Sequence, residues 1–181
     1  MRSLSLGSAL LFAATIAVAE QPAVGDKAPA FTLKSLKGQS VSLSEQTSAG
    51  PVALIVLRGF PGYQCPVCNR QVQEFLKKAP AFREAGTRVV MIYPGPAKDL
   101  DVRAEEFAAN KAFPANFELL LDPDYVMTHA YGLRWDAKGE TAFPSTFLID
   151  KSGAIFFSKI SNSHGGRSAP AEVLEALAKA K

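Results

Sequence analysis

Cys65 and Cys68 are the only cysteines in the chain, and they lie three residues apart in Gln64-Cys65-Pro66-Val67-Cys68. An apolar run, Pro51 to Leu57, comes before them, and the helical pattern Asn69 to Leu76 follows. The order predicts a strand that ends shortly before the pair and a helix that starts on it. Pro66 suits the first helical position, where a missing N–H costs nothing. Cys65 then lies at the helix N-terminus, where unpaired N–H groups and the positive end of the helix dipole stabilise a thiolate. Cys68, one turn on, shares its face and can reach it to form a disulfide. The chemistry this suits is reversible thiol–disulfide exchange.

Other uses of two cysteines fit less well. A bridge closing so short a loop restrains the unfolded chain by only about 2 kcal/mol, which a domain of this size does not need. Zinc sites take about four ligands, and there is no second Cys-x-x-Cys. His129 and His164 are the only histidines, without ligand spacing, and read as surface or hydrogen-bonded side chains. The expectation is no metal and no cofactor. A soft-metal chaperone holding Cu(I) between the two thiolates is the alternative from another functional class.

The 181 residues are 48% hydrophobic and 20% charged, a globular composition for one domain. The net charge of +3 comes without any Lys/Arg block, which argues against nucleic acid as a partner. Arg2, the apolar stretch Leu4 to Val18, and Ala17-Val18-Ala19 read as a secretory signal over residues 1–19. The folded domain is then 20–181, exported and periplasmic in a Gram-negative host, with an uncleaved membrane anchor as the minor alternative. Such compartments permit disulfides.

The elements that must position the cysteines follow from periodicity. A hairpin is expected from Ala30–Leu33 and Gln39–Leu43, a loop over Glu45–Gly50, and a buried central strand over Val52–Leu57. The helix from Pro66 runs toward Lys78, with a further turn near Phe82–Ala85. A second central strand, Arg88–Tyr93, is ended by Pro94-Gly95-Pro96. A helix over Leu100–Asn110 has Asp99 or Asp101 as its cap. A strand over Phe117–Leu121 and a short helix over Tyr125–Tyr131 come next. The hairpin Thr146–Ile149/Ala154–Ser158 and a closing helix from Pro170, with Ser168 as its cap, complete the chain. This order implies a three-layer α/β/α sandwich around a mixed sheet.

Four segments together resemble the thioredoxin-like superfamily, in particular its redoxin or peroxiredoxin-like (AhpC/TSA-type) branch. They are Val24–Leu33 with Gly38–Leu43, Leu57–Cys68, Asp122-Pro123 through Leu133, and Phe143–Gly153. The resemblance implies a thioredoxin-like fold with an N-terminal β-hairpin. It also shows a departure. Peroxiredoxins carry Pro-x-x-x-Thr/Ser-x-x-Cys and an Arg before the late strand. Here Cys65 stands in place of the Thr, Cys68 occupies the peroxidatic position, and Pro144 replaces the Arg. Pro144 instead matches the thioredoxin proline that faces the Cys-x-x-Cys pair through a cis bond.

The expected enzyme is therefore an extracytoplasmic thiol–disulfide oxidoreductase with Cys65 and Cys68 as its catalytic dithiol. Its partners would be disulfide- or dithiol-containing protein substrates or peroxide, and an unidentified upstream electron donor. The alternative is a thiol peroxidase, with Cys68 attacking peroxide and Cys65 resolving the sulfenic acid. Pro144 would face the pair and leave backbone groups free for an extended substrate. Arg58 ends the strand before the site and is a candidate for lowering the thiol pKa, or else a solvent-facing side chain. Tyr63, with Phe60, is expected at a substrate-facing rim. Tyr93 is expected on the active-site edge without a chemical role.

Overall fold

Val52, Ala53, Leu54, Ile55 and Val56 are all fully buried, and the alternation of their side chains builds both halves of the core. In the computed structural model, which describes residues 19–180, this strand is an inner strand of a seven-stranded sheet. The elements in order are β1 (Thr32–Ser35), β2 (Ser40–Ser42), α1 (Leu43–Ala49), β3 (Val52–Val56), α2 (Pro66–Lys77), α3 (Ala79–Glu84), β4 (Arg88–Gly95), α4 (Leu100–Ala108), β5 (Phe117–Pro123), α5 (Val126–Ala130), β6 (Ser145–Ile149), β7 (Ile155–Ile160) and α6 (Pro170–Lys179).

The strand order is β2-β1-β5-β4-β3-β6-β7. β4 runs parallel to β3 and β5, while β6 is antiparallel to β3. The sheet is mixed, as expected. Ala53, Ile55, Val89, Met91 and Tyr93 face a cluster formed with α2, α3, α4 and α6. Leu54, Val56, Val90 and Ile92 face the other way, against Leu43 of α1 and Met127 of α5. Period-two strands covered on both faces give the three layers.

Several local expectations change. The segment expected as a loop after Leu43 is the helix α1, set by a capping box: Ser42 Oγ accepts from Glu45 N, and the Glu45 carboxylate accepts from Ser42 N. β4 does not stop at Tyr93. Pro94 and Gly95 continue it beside Asp122 and Pro123 of β5. The Asp99 side chain makes no cap hydrogen bond to α4. Asp99 is the N-cap in a left-handed conformation, and the Asp101 carboxylate accepts only from the neighbouring Val102 N. The N-cap of α6 is Ala169 rather than Ser168. The signal assignment falls on residues 1–19 and lies, Ala19 apart, outside the described residues.

Asp122 ends β5 with no solvent exposure, and its carboxylate accepts from Met127 N, Thr128 N and Thr128 Oγ1. It ties α5 to the sheet. Asp122→Ala would leave three buried donors unpaired, at about 1 kcal/mol or more each. The expected result is a urea midpoint lowered to match a loss of about 3 kcal/mol, at unchanged m-value. A loss below about 1 kcal/mol would mean the donors find other partners.

Candidate active site

The chain leaves β3 at its carboxyl end and stays seated on β4: Leu57 N donates to Ile92 O and Phe60 N to Pro94 O. Gly59 makes this possible. Its φ is +73°, and a Cβ there would lie 1.9 Å from Pro94 O, so no side chain fits. The loop then delivers Cys65 to the N-cap of α2, with Pro66 in the first turn. Placement at the helix start is as the sequence implied.

Both thiols are free, and Cys65 Sγ accepts from Cys68 N at 3.4 Å. The sulfurs differ in electrostatics more than in exposure. Cys65 is 3% exposed and Cys68 0%, so both thiols are covered in this reduced state. Hydrogen bonding from the Cys68 side chain holds the Cys65 thiol well below its ordinary pKa. Burial opposes this, while the Cys68 N–H, Arg167 and Arg58 assist. Burial pushes Cys68 up, and its bond to the Cys65 thiolate adds to the rise. Of the two, Cys65 is the thiol whose surroundings favour loss of the proton.

Arg167 is the residue the sequence did not single out. Its Nη1 lies 3.3 Å from Cys68 Sγ and 3.0 Å from Gln71 Oε1, while Nε donates to His164 O. It comes from the loop after β7, 99 residues from Cys68. No local pattern marks such a contact.

Arg58 is buried rather than solvent-facing, at 3% exposure. Its Nε pairs with Glu140 Oε2 at 2.5 Å, Nη1 donates to Tyr63 Oη at 2.6 Å and Nη2 to Gly139 O at 2.7 Å. The guanidinium also lies 5.2 Å from the Tyr63 ring centre. Tyr63 is half exposed, consistent with a rim position. Glu140 extends the network to His164 Nε2 at 2.9 Å, so His164 is an exposed, hydrogen-bonded histidine, as expected. Phe60 is part-buried beneath the Arg103 guanidinium. Tyr93, fully buried, donates to Gln64 Oε1, and Gln64 Nε2 donates to Arg103 O. Tyr93 thus anchors the residue before Cys65.

Pro144 lies at the same sheet edge, because Ser145 pairs with Val56 at the end of β3. The cis expectation is corrected: the described residues contain no cis peptide bond. Phe143 N donates to Leu133 O, and Pro144 O accepts from Ser161 N, both at 2.9 Å. An extended trans segment satisfies these partners and runs directly into β6. The same bonds occupy the backbone groups expected to be free for an extended substrate.

The AhpC/TSA family model matches residues 24–158. The chain belongs to the AhpC/TSA family. A putative peroxiredoxin of Mycobacterium tuberculosis (strain H37Rv) is 32% identical over 136 residues, 72% of this chain and 80% of that protein. The thiol-disulfide oxidoreductase ResA of Geobacillus thermodenitrificans is 29% identical over 133 residues, 74% of this chain and 67% of the relative. Among solved structures, the peroxidoxin BcpB of M. tuberculosis aligns with a TM-score of 0.64 at 25% identity, covering 86% of this chain and 94% of its own. A peroxiredoxin-like protein from Aquifex aeolicus, at 19% identity and a TM-score of 0.71, covers 90% of each chain and supports the fold alone. This AhpC/TSA protein is an oxidoreductase with a thioredoxin-like fold. Arg167 lies beyond the segment that the AhpC/TSA model matches.

Proposed function

We propose that the protein is an extracytoplasmic thiol–disulfide oxidoreductase in which Cys65 attacks and Cys68 resolves. The observation that carries this reading is the hydrogen bond from Cys68 N to Cys65 Sγ at the start of α2, which favours the thiolate form of Cys65. Cys65 thiolate attacks one sulfur of a disulfide, forms a mixed disulfide and expels the other sulfur as a thiolate. Cys68 loses its proton, attacks Cys65 Sγ and expels the second thiolate. The substrate gains two electrons and the protein is left with a Cys65–Cys68 disulfide, which an upstream dithiol donor reduces. Tyr63 stands at the rim where a substrate enters, and Arg58 holds Tyr63 in place. The burial of Cys65 requires the rim to open as substrate arrives.

A second reading has a specific observation in its favour. Arg167 Nη1 on Cys68 Sγ puts a cation and a donor beside the sulfur at the peroxidatic position. In a thiol peroxidase, Cys68 would attack peroxide and Cys65 would resolve the sulfenic acid by expelling water. One comparison tests between them. The same dithiol-recycled sample is assayed for disulfide reduction and for peroxide consumption. Faster disulfide turnover is expected, and peroxide consumption without disulfide reduction would reverse the assignment.

Export is the remaining part of the proposal, supported by the Ala17-Val18-Ala19 pattern. Protein isolated from its native host is expected to begin at Glu20 on N-terminal sequencing. An intact N-terminus in the cytoplasmic fraction would remove the compartment.

A further inference from the structure

A cleft of about 490 Å³ opens beside the cysteines, between α2 and the loop that carries Arg167. Val67, Arg70, Gln71 and Glu74 line one wall, and residues 165–169 line the other. Two residues that line it each carry a buried polar atom with no hydrogen-bond partner among the described residues, Arg167 Nη2 and Ser168 Oγ. Ser168 is only 4% exposed. Orphaned groups of this kind are uncommon in folded proteins and cost free energy unless a ligand satisfies them. The α6 N-terminus adds to the same preference. Its N-cap, Ala169, lines the cleft and offers no side-chain cap, and Pro170 follows it.

Charge chooses the ligand. Arg70 and Arg167 face a single acidic side chain, Glu74, which lies one turn further from the cysteines. Arg70 is exposed and makes no ion pair within 4.0 Å among the described residues. Two cations, a buried hydroxyl and a helix N-terminus suit a carboxylate. Arg167 also connects the cleft to the chemistry, since the side chain that lines it touches Cys68 Sγ through Nη1. Size points the same way. The backbone around Pro144 is already paired, so it does not supply a docking edge for an extended polypeptide.

We infer that this cleft binds the carboxylate of a small thiol or disulfide substrate, held by Arg70, Arg167 and Ser168. The inference rests on the disulfide-exchange reading above and names its substrate class: compact disulfides with a carboxylate on the chain that bears the sulfur. Glu74, at the outer end, works against a second carboxylate on that same half.

The test pairs two substrates that differ in charge, 3,3′-dithiodipropionate and the neutral bis(2-hydroxyethyl) disulfide. The full mature protein reduces both, with the lower KM for the dicarboxylate. Arg70→Ala and Ser168→Ala each raise KM for the dicarboxylate about tenfold, the loss expected for one charge-assisted contact. The neutral substrate changes by less than about twofold, because it makes no such contact. In ¹⁵N spectra, the non-reactive 3,3′-thiodipropionate shifts the amides of Gly165, Gly166 and Ala169. Equal changes in both substrates would overturn the inference. So would inorganic phosphate shifting those amides as tightly as thiodipropionate, which would mark a site for free phosphate. If neither disulfide is reduced while peroxide is consumed, the disulfide-exchange reading fails, and with it the assigned substrate. The spectra then judge the cleft separately, and unshifted amides would overturn the carboxylate site itself.

Discussion

Cys68→Ser will accumulate mixed disulfides through Cys65, and Cys65→Ser will accumulate none. The asymmetry follows from where the charge is favoured. In the native pair the surroundings favour the thiolate on Cys65, which accepts from the Cys68 N–H at the first turn of α2. Serine at position 68 keeps that backbone donor and supplies a hydroxyl of similar size, so Cys65 remains nucleophilic. It removes the sulfur that would break the mixed disulfide, so the adduct persists. Serine at position 65 leaves a thiol that burial holds protonated, with Arg167 as the main opposing influence. Turnover of disulfide substrates should fall about a thousandfold or more in both variants, since each removes a reacting group. Non-reducing electrophoresis and intact-mass measurement separate the two outcomes. Under peroxide chemistry the pattern inverts. Cys65→Ser then forms a sulfenic acid at Cys68, and Cys68→Ser captures no partner. That inverted result would replace the preferred function with thiol peroxidase.

Arg167→Met is expected to move the pH dependence of the thiols upward. The guanidinium touches Cys68 Sγ, and its charge lowers the pKa of both sulfurs. Methionine keeps much of the length and the apolar stem but loses the charge. A thiolate that has lost a cation forms at higher pH. The iodoacetamide alkylation profile of Cys65 therefore shifts toward alkaline pH, and the shift is largest below neutrality. Disulfide turnover at pH 6 should drop by about tenfold, while at pH 9 the variant recovers most of its rate. Arg167→Lys should retain part of the effect as a point charge without the planar donor fork. A merely structural Arg167 would give a uniform loss at all pH values. An unshifted profile would remove the residue from the site's electrostatics.

Much of this site was legible because its information is local. The spacing of Cys65 and Cys68, Pro66 between them, and the change from strand pattern to helix pattern all lie within one short stretch. They sufficed to place one thiol at a helix N-terminus and the other one turn in. The sheet was legible for the same reason. Val52–Val56 and Val89–Tyr93 are apolar throughout, which only strands covered on both faces tolerate. Where local signals competed, the reading of the chain went astray. Ser42 and Glu45 form a capping box that starts α1, although Glu45–Gly50 reads as polar loop. Pro94 and Gly95 resemble strand breakers, yet parallel pairing with β5 carries β4 through them.

Long-range electrostatics had no such signature. Arg58 could point either way at a strand end until Glu140, 82 residues later, was folded against it. Arg167 reaches Cys68 across 99 residues. Pro144 shows the limit most clearly, because its resemblance to a thioredoxin proline was local and its conformation was not. The partners of Phe143 and Pro144 lie at Leu133 and Ser161, on other segments. The sequence by itself determined the reactive pair, the helix that carries it and the layered sheet beneath, since periodicity and caps act over a few residues. Tertiary structure alone decided which charges and hydrogen bonds surround the sulfurs, because those depend on distances between segments that nothing in the linear order records.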